Sequence, residues 1–392
     1  MRGDLSTNGR CYGLNLNSYR SPSGPLDNVL RYTWHDGQLQ GLRPPGYAKI
    51  LLIGAGGCGC NTVDRMMDTG CMGVECIAVN TDRAHLDTVR SHRSILIGEK
   101  TTRGLGAGGN PAIGKAAIEE SIGLIEPLLE GCDICFVSAG MGGGTGTAAA
   151  PVIADMAQKK GAIVVGVVTM PFRHERGRLS IALDGLNKMR RSSNTVVIIE
   201  NDRLMGLVPN LAFDEAFKVA DTTLANMISG ITDTISRPSL INLDFADIRA
   251  MMIRGGVTFV GIGQSNAPNR SEEAVIRALN NPLLDVSYEG ANGALVHVSG
   301  DNSMTLSEVT RSAEIVSEMI DQNAYVFWGA RVDPALSGML KVTLLLTGVN
   351  SPHLMTGYGL FPVELYNVEP DAGMEEKLPI DLGLYQLESN DA

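Results

Sequence analysis

The chain is 392 residues long and 44% apolar, with 43 acidic residues against 32 Lys and Arg for a formal charge of −11. That is too much chain for one ordinary core, so two domains with tails are expected. The acidic balance repels a polyphosphate partner, and apolar runs such as "AIVVGVVTM" (162–170) fall short of the roughly 20 residues a bilayer helix needs, so the reading is a cytoplasmic protein with no nucleic-acid partner and no direct membrane insertion.

Residues 1–47 scatter Gly, Pro, Ser and Asn without a sustained period, which predicts a flexible or loosely docked extension. From Ala48 short β-branched runs alternate with helical stretches: "KILLIG" (49–54), "CIAVNT" (76–81), "SILIG" (94–98), "ICFVSAG" (134–140), "AIVVGVVTM" and "TVVIIEND" (195–202). Strands alternating with helices predict an α/β fold with a Rossmann-like parallel sheet over 48–212. In such sheets ligands bind at the carboxyl ends of the strands.

Three glycine-rich loops stand at those ends. "GAGGCGCN" (54–61) closes the first strand, "GLGAGGNP" (104–111) precedes a helix, and "GMGGGTGT" (140–147) follows the fourth strand. Strand, glycine loop and helix together are the layout that seats phosphate on a helix N-terminus, and successive backbone N–H groups in such turns form an anion-binding concavity. The hydroxyls of Thr145 and Thr147 are expected to add donors. One such loop also fits close strand–helix packing or a dinucleotide site with Asp82 on a ribose, but a dinucleotide fold has one pyrophosphate loop, and no P-loop motif is present.

Seven cysteines in a chain without an export pattern read as reduced thiols. "CDIC" (132–135) runs straight into a strand and has no second pair at zinc-finger spacing, which favours buried thiols. Cys58 and Cys60 interrupt the first glycine loop and read as small side chains tolerated in a tight turn, with redox sensitivity as the alternative.

Phe213, Phe217, Ala220, Leu224, Met227, Ile231 and Ile235 recur at helical spacing, which predicts one long central helix over 213–236, ended before Pro238. A smaller α+β domain is expected over 237–349: helix 244–254, strand 257–263, helix 271–281, strand 294–300, helix 305–322, and strands 325–331 and 341–349. Residues 350–392 carry eight acids and one Lys and read as an acidic tail with a short binding segment at "LPIDLGLYQLE" (378–388).

"GMGGGTGTAAAP" (140–151) and "NLDFADIR" (242–249), with "AVNTD", "GLGAGGNP" and "VVTMPF" in order between Lys49 and Val349, resemble the signature and synergy loops of the tubulin/FtsZ superfamily, and its FtsZ branch in particular. The resemblance implies a self-assembling GTPase of the cell-division ring, stacked head to tail into filaments at the division site. GTP and GDP would be its nucleotides, Mg²⁺ and K⁺ its ions, and membrane-tethering or division adaptors its partners through the tail. No metal ligand among the protein side chains is implied.

Residue by residue, the resemblance places Gly56, Gly57, Cys58, Gly59 and Asn61 in the first nucleotide loop and Thr81 in the second. Gly106, Ala107, Gly108 and Asn110 fall in the third, and Gly142, Gly143, Gly144, Thr145, Gly146 and Thr147 in the phosphate loop. Pro171 opens the next loop and Glu175 falls at a ribose-side acid. The basic residue the family places four positions on is Leu179 here, leaving Arg176 and Arg178 as alternatives. Asn201, Phe217 and Asp221 match the base pocket, with Phe217 stacking on guanine and Asp221 accepting from it; a carboxylate opposite two donors favours guanine over adenine. Plain core packing and solvation also fit Phe217, Asp221 and Asn201. Asn242, Asp244 and Asp247 match the loop that one subunit sets above its neighbour's nucleotide, where helix capping is the competing reading. A low-turnover filament protein of the same superfamily is the alternative function, against which the presence of both acids speaks.

Overall fold

The computed structural model describes residues 48–70, 73–203, 212–236, 239–241, 245–253, 256–281, 284, 287–288 and 290–350, with the backbone alone at 34–35 and 38–39 and at 213, 214 and 236. The expected tail, its segment 378–388, Pro238, and Asn242 and Asp244 lie outside the described residues. In residues 1–47, Trp34–His35 pairs antiparallel with Gln38–Leu39.

The sheet begins with β1 (Ile50–Ala55), β2 (Val74–Asn80), β3 (Arg93–Leu96), β4 (Ile134–Gly140), β5 (Ile163–Met170) and β6 (Thr195–Glu200), all pairing in parallel. β1, β4, β5 and β6 are buried along their length apart from half-buried Gly140, as continuous Val, Ile and Leu runs should be when helices cover both faces. The covering helices are α1 (Gly56–Asp68), α2 (Pro111–Glu120), α3 (Thr145–Lys159) and α4 (Arg176–Ser192).

The central helix, α5 (Phe213–Ser236), has the expected bounds. It buries Leu224, Ala225, Met227, Ile228 and Ile231. Gly230 allows it to lie close on the second half: a Cβ there would stand 3.0 Å from Ile262 Cδ1 and 3.2 Å from Thr343 Cγ2. Beyond it come α6 (Phe245–Ile253), β7 (Val257–Ser265), α7 (Arg270–Leu279), β8 (Gly293–Gly300), α8 (Leu306–Met319), β9 (Tyr325–Val332) and β10 (Leu340–Val349). α8 starts one residue later than the periodicity implies because Thr305 is its cap, bonded reciprocally with Glu308.

Instead of two separate sheets the strands form one, in the order β9-β8-β10-β7-β6-β5-β4-β1-β2-β3. The halves are joined by a single parallel pair, Val196 with Val257, where the hydroxyls of Thr195 and Thr258 also bond. β10 runs antiparallel to both its neighbours, which makes the second half mixed. No helix among the described residues is long and apolar enough to cross a membrane.

Candidate functional site

β1 turns into α1 with no intervening loop, which requires Gly56 at φ 71. No side chain caps α1 or α3, and neither has an acid in its first turn. Their first amides are therefore the unsatisfied donors at the positive ends of two helix dipoles. α2 differs, since Asn110 Oδ1 accepts from Ala112 N at 2.9 Å and Pro111 needs no partner.

Close backbone contact draws these three helix starts together. A Cβ on Gly56 would lie 2.8 Å from Gly146 N, and one on Gly144 would lie 2.8 Å from Ala107 Cβ and 2.9 Å from Asn110 N. Thr81 and Thr145 share a hydroxyl hydrogen bond of 2.7 Å, and Gly106 N donates to Thr81 O at 3.1 Å. Thr147 is buried and its Oγ1 accepts from Gly142 N at 2.9 Å, so both threonine hydroxyls brace the loops, where the sequence suggested donors to a ligand.

The glycines divide into two sets. Gly54 and Gly59 are pressed together, and a Cβ on Gly59 would meet Ser138 O at 2.3 Å. Among the described residues, Gly57, Gly108 and Gly143 have no atom beyond their own local backbone within 4 Å of a built Cβ, so they face open space. Gly59→Ala should therefore lower stability by about 1–3 kcal/mol through forced separation of α1 from β4. Gly57→Ala should melt at the parent temperature, a contrast read by thermal unfolding followed by circular dichroism.

Beside the open glycines, Asn61 Oδ1 stands 3.1 Å from His85 Nε2, whose Nδ1 is 3.1 Å from Asn80 Nδ2. His85 was not singled out in the sequence; its only local signal is Asp82, whose carboxylate accepts from His85 N at 3.2 Å as a helix cap. Asp82 is thereby engaged in local structure. Cys58 is half-buried with Sγ 3.2 Å from Thr169 Oγ1, and burial, with the Asp221 charge nearby, pushes its thiol up to about 12. At that value it is a packed thiol, and Cys60, Cys132 and Cys135 are buried thiols too.

Asp221 lies on the face of α5 toward α1, and burial raises its carboxyl from 3.8 to about 7 against the opposing pull of Arg65. Phe217, half-buried one turn earlier, meets Phe172 edge to face at 5.8 Å between ring centres. Glu175 Oε2 accepts from Arg178 Nη1 at 2.5 Å, and a Cβ on Gly142 would stand 2.9 Å from Arg178 O and 3.3 Å from Pro171 Cγ. Arg178 thus sets its backbone and Cβ against the phosphate-type loop, and the side chains of Arg176 and Arg178 are both exposed. Asn201 is half-buried in helical backbone directly after β6. Asp247 is half-buried in the first turn of α6, a helix anchored by buried Ile248, Met251 and Met252.

Comparison with known proteins gives two family matches: residues 49–209 to the tubulin/FtsZ family GTPase domain and 256–350 to the FtsZ family C-terminal domain. Cell division protein FtsZ 2 of Methanocaldococcus jannaschii is 48% identical over 313 residues, covering 79% of this chain and 82% of that protein. Cell division protein FtsZ 1 of Thermococcus kodakarensis is 46% identical over 368 residues, covering 94% and 96%. A solved structure described as an empty FtsZ dimer from M. jannaschii superposes with a TM-score of 0.72 at 45% identity, covering 77% of this chain and 88% of the other.

Proposed function

The chain belongs to the tubulin/FtsZ family, and on that premise we propose a division of labour within its GTP site. It is a GTPase of the FtsZ cell-division type that binds guanine nucleotide and associates with itself. The observation that carries the finer reading is the convergence of α1, α2 and α3 on backbone left open at Gly57, Gly108 and Gly143.

In this reading the phosphates of GTP sit on the first amides of α1 and α3 and on the loops around Gly106, Gly108, Gly142, Gly143 and Gly144. Gly56, Gly59, Ala107, Asn110, Thr81, Thr145, Gly146 and Thr147 hold those loops in shape. Glu175 and Arg178, with Pro171 behind them, border the ribose. Asp221 accepts from the guanine edge, with Phe217, Asn201, Asn61 and Cys58 around it. Mg²⁺ carried with the nucleotide, and K⁺, would neutralise phosphate charge.

Hydrolysis belongs to a site completed by a second copy, in which Asn242, Asp244 and Asp247 orient the attacking water above the neighbour's γ-phosphate. A site divided between subunits requires turnover per molecule to rise sharply with protein concentration. Phosphate release measured across a dilution series, with light scattering in parallel, should show a threshold common to both signals. Specific activity independent of concentration would exclude the divided site. The tail beyond Asn350 is assigned to adaptors that bring the filament to the membrane at the division site.

A further inference from the structure

Two charged regions of opposite sign remain outside the nucleotide cleft. The C-terminal part of α4 exposes Lys188, Arg190 and Arg191 in an otherwise acidic chain. Lys188 is held by Asp184 at 2.5 Å, whereas Arg190 and Arg191 have no ion-pair partner among the described residues. Residues 350–392 carry eight acids against a single Lys.

The strand register brings these regions to one edge of the sheet. Val349, the last residue of β10, pairs with Val257, and Val257 pairs with Val196. The tail therefore starts in the same row as the second residue of β6. α4 ends just before that strand, and Asn194 N fixes the turn by donating to Val164 O at 2.9 Å. Only β7 separates β10 from β6, so the tail starts roughly 10 Å across the sheet from the strand that Arg190 and Arg191 lead into.

We propose that the acidic segment following Asn350 docks within its own chain on the arginine end of α4. Charge complementarity selects it, and the tether gives it an effective concentration on the order of millimolar. A nucleic acid or an anionic membrane, the other polyanions that fit arginines, must approach against a net charge of −11. The contact is exposed on both sides and is therefore screened by salt.

A protease that cleaves after glutamate reads the docking in the full-length, GDP-loaded protein, with a synthetic peptide of residues 360–392 giving the unprotected rate. At about 0.05 M salt the tail should be cut roughly threefold or more slower than the peptide, and at about 0.5 M salt the two rates should coincide. Arg190→Gln with Arg191→Gln should abolish the protection at low salt. Tail cleavage at the peptide's rate in low salt overturns the proposal, as does protection that survives high salt. Protection that grows with protein concentration also overturns it, since it would place the tail on a second copy. Should the double variant melt early, the wild-type comparison with the peptide decides alone.

Discussion

Asp247→Ala should bind GTP with parental affinity and lose hydrolysis by on the order of a hundredfold or more, the scale set by removing a group that positions or activates the attacking water. Asp247 lies in the first turn of α6, on the far side of the central helix from the glycine loops in sequence. Its helix is anchored by buried Ile248, Met251 and Met252, so truncating the half-buried carboxylate should leave the fold standing. Capping of α6 alone would make the same substitution a stability change of about 0.5–2 kcal/mol with turnover preserved. The discriminating measurement is complementation. Asp247→Ala has an intact pocket, and Asp221→Asn has an intact synergy segment. Mixed, the two should hydrolyse more GTP than the sum of each alone, because one subunit's pocket meets the other's acid. Strictly additive rates would place the whole site in a single chain.

Asp221→Asn should weaken GTP binding on the order of a hundredfold, since an amide turns a donor toward guanine N–H groups that need two acceptors. The pH dependence is equally specific. Burial raises the Asp221 carboxyl from 3.8 to about 7 in the folded protein without nucleotide, so between those values the folded state holds a proton that the unfolded chain has released. Stability from this group is fully present below about pH 4 and is lost as pH rises through about 7. The Asn variant should therefore be relatively more stable than the parent above pH 7, in calorimetric melts of the nucleotide-free protein. Binding runs the opposite way, because the ionised form accepts from guanine: affinity at pH 6 should be about tenfold below its plateau above pH 8. The variant should show neither slope.

Much of this arrangement is written locally in the sequence. β-branched runs marked the strands, and the apolar stripe from Phe213 to Ile235 gave the central helix its bounds. The glycine loops point to an anion seat by their composition and their place at the strand ends. What periodicity could not convey was pairing between distant segments. The junction of the two halves is a single pair, Val196 with Val257, and neither valine differs in pattern from its neighbours. Nor could periodicity convey that the backbone of Arg178 lies against Gly142. The threonine hydroxyls of "GTGT" read as donors to a ligand because their engagement with Thr81 and Gly142 is a tertiary fact. Asp221 and Phe217 sit on a helix whose pattern equally describes plain core, and only the resemblance points to base contacts at these two positions.

Under the proposed placement of GTP, the uncapped starts of α1 and α3 let an acidic protein hold a polyanion largely on peptide N–H groups. Peptide N–H groups neither titrate nor carry counterions, so a seat built from them keeps its attraction across the physiological pH range. Its surroundings remain free to be negative, which favours solubility at the concentrations a polymer-forming protein reaches. Under that placement Asp221 gives the base end of the cleft a proton-sensitive group, and the triphosphate end draws on backbone amides together with the ions the nucleotide carries.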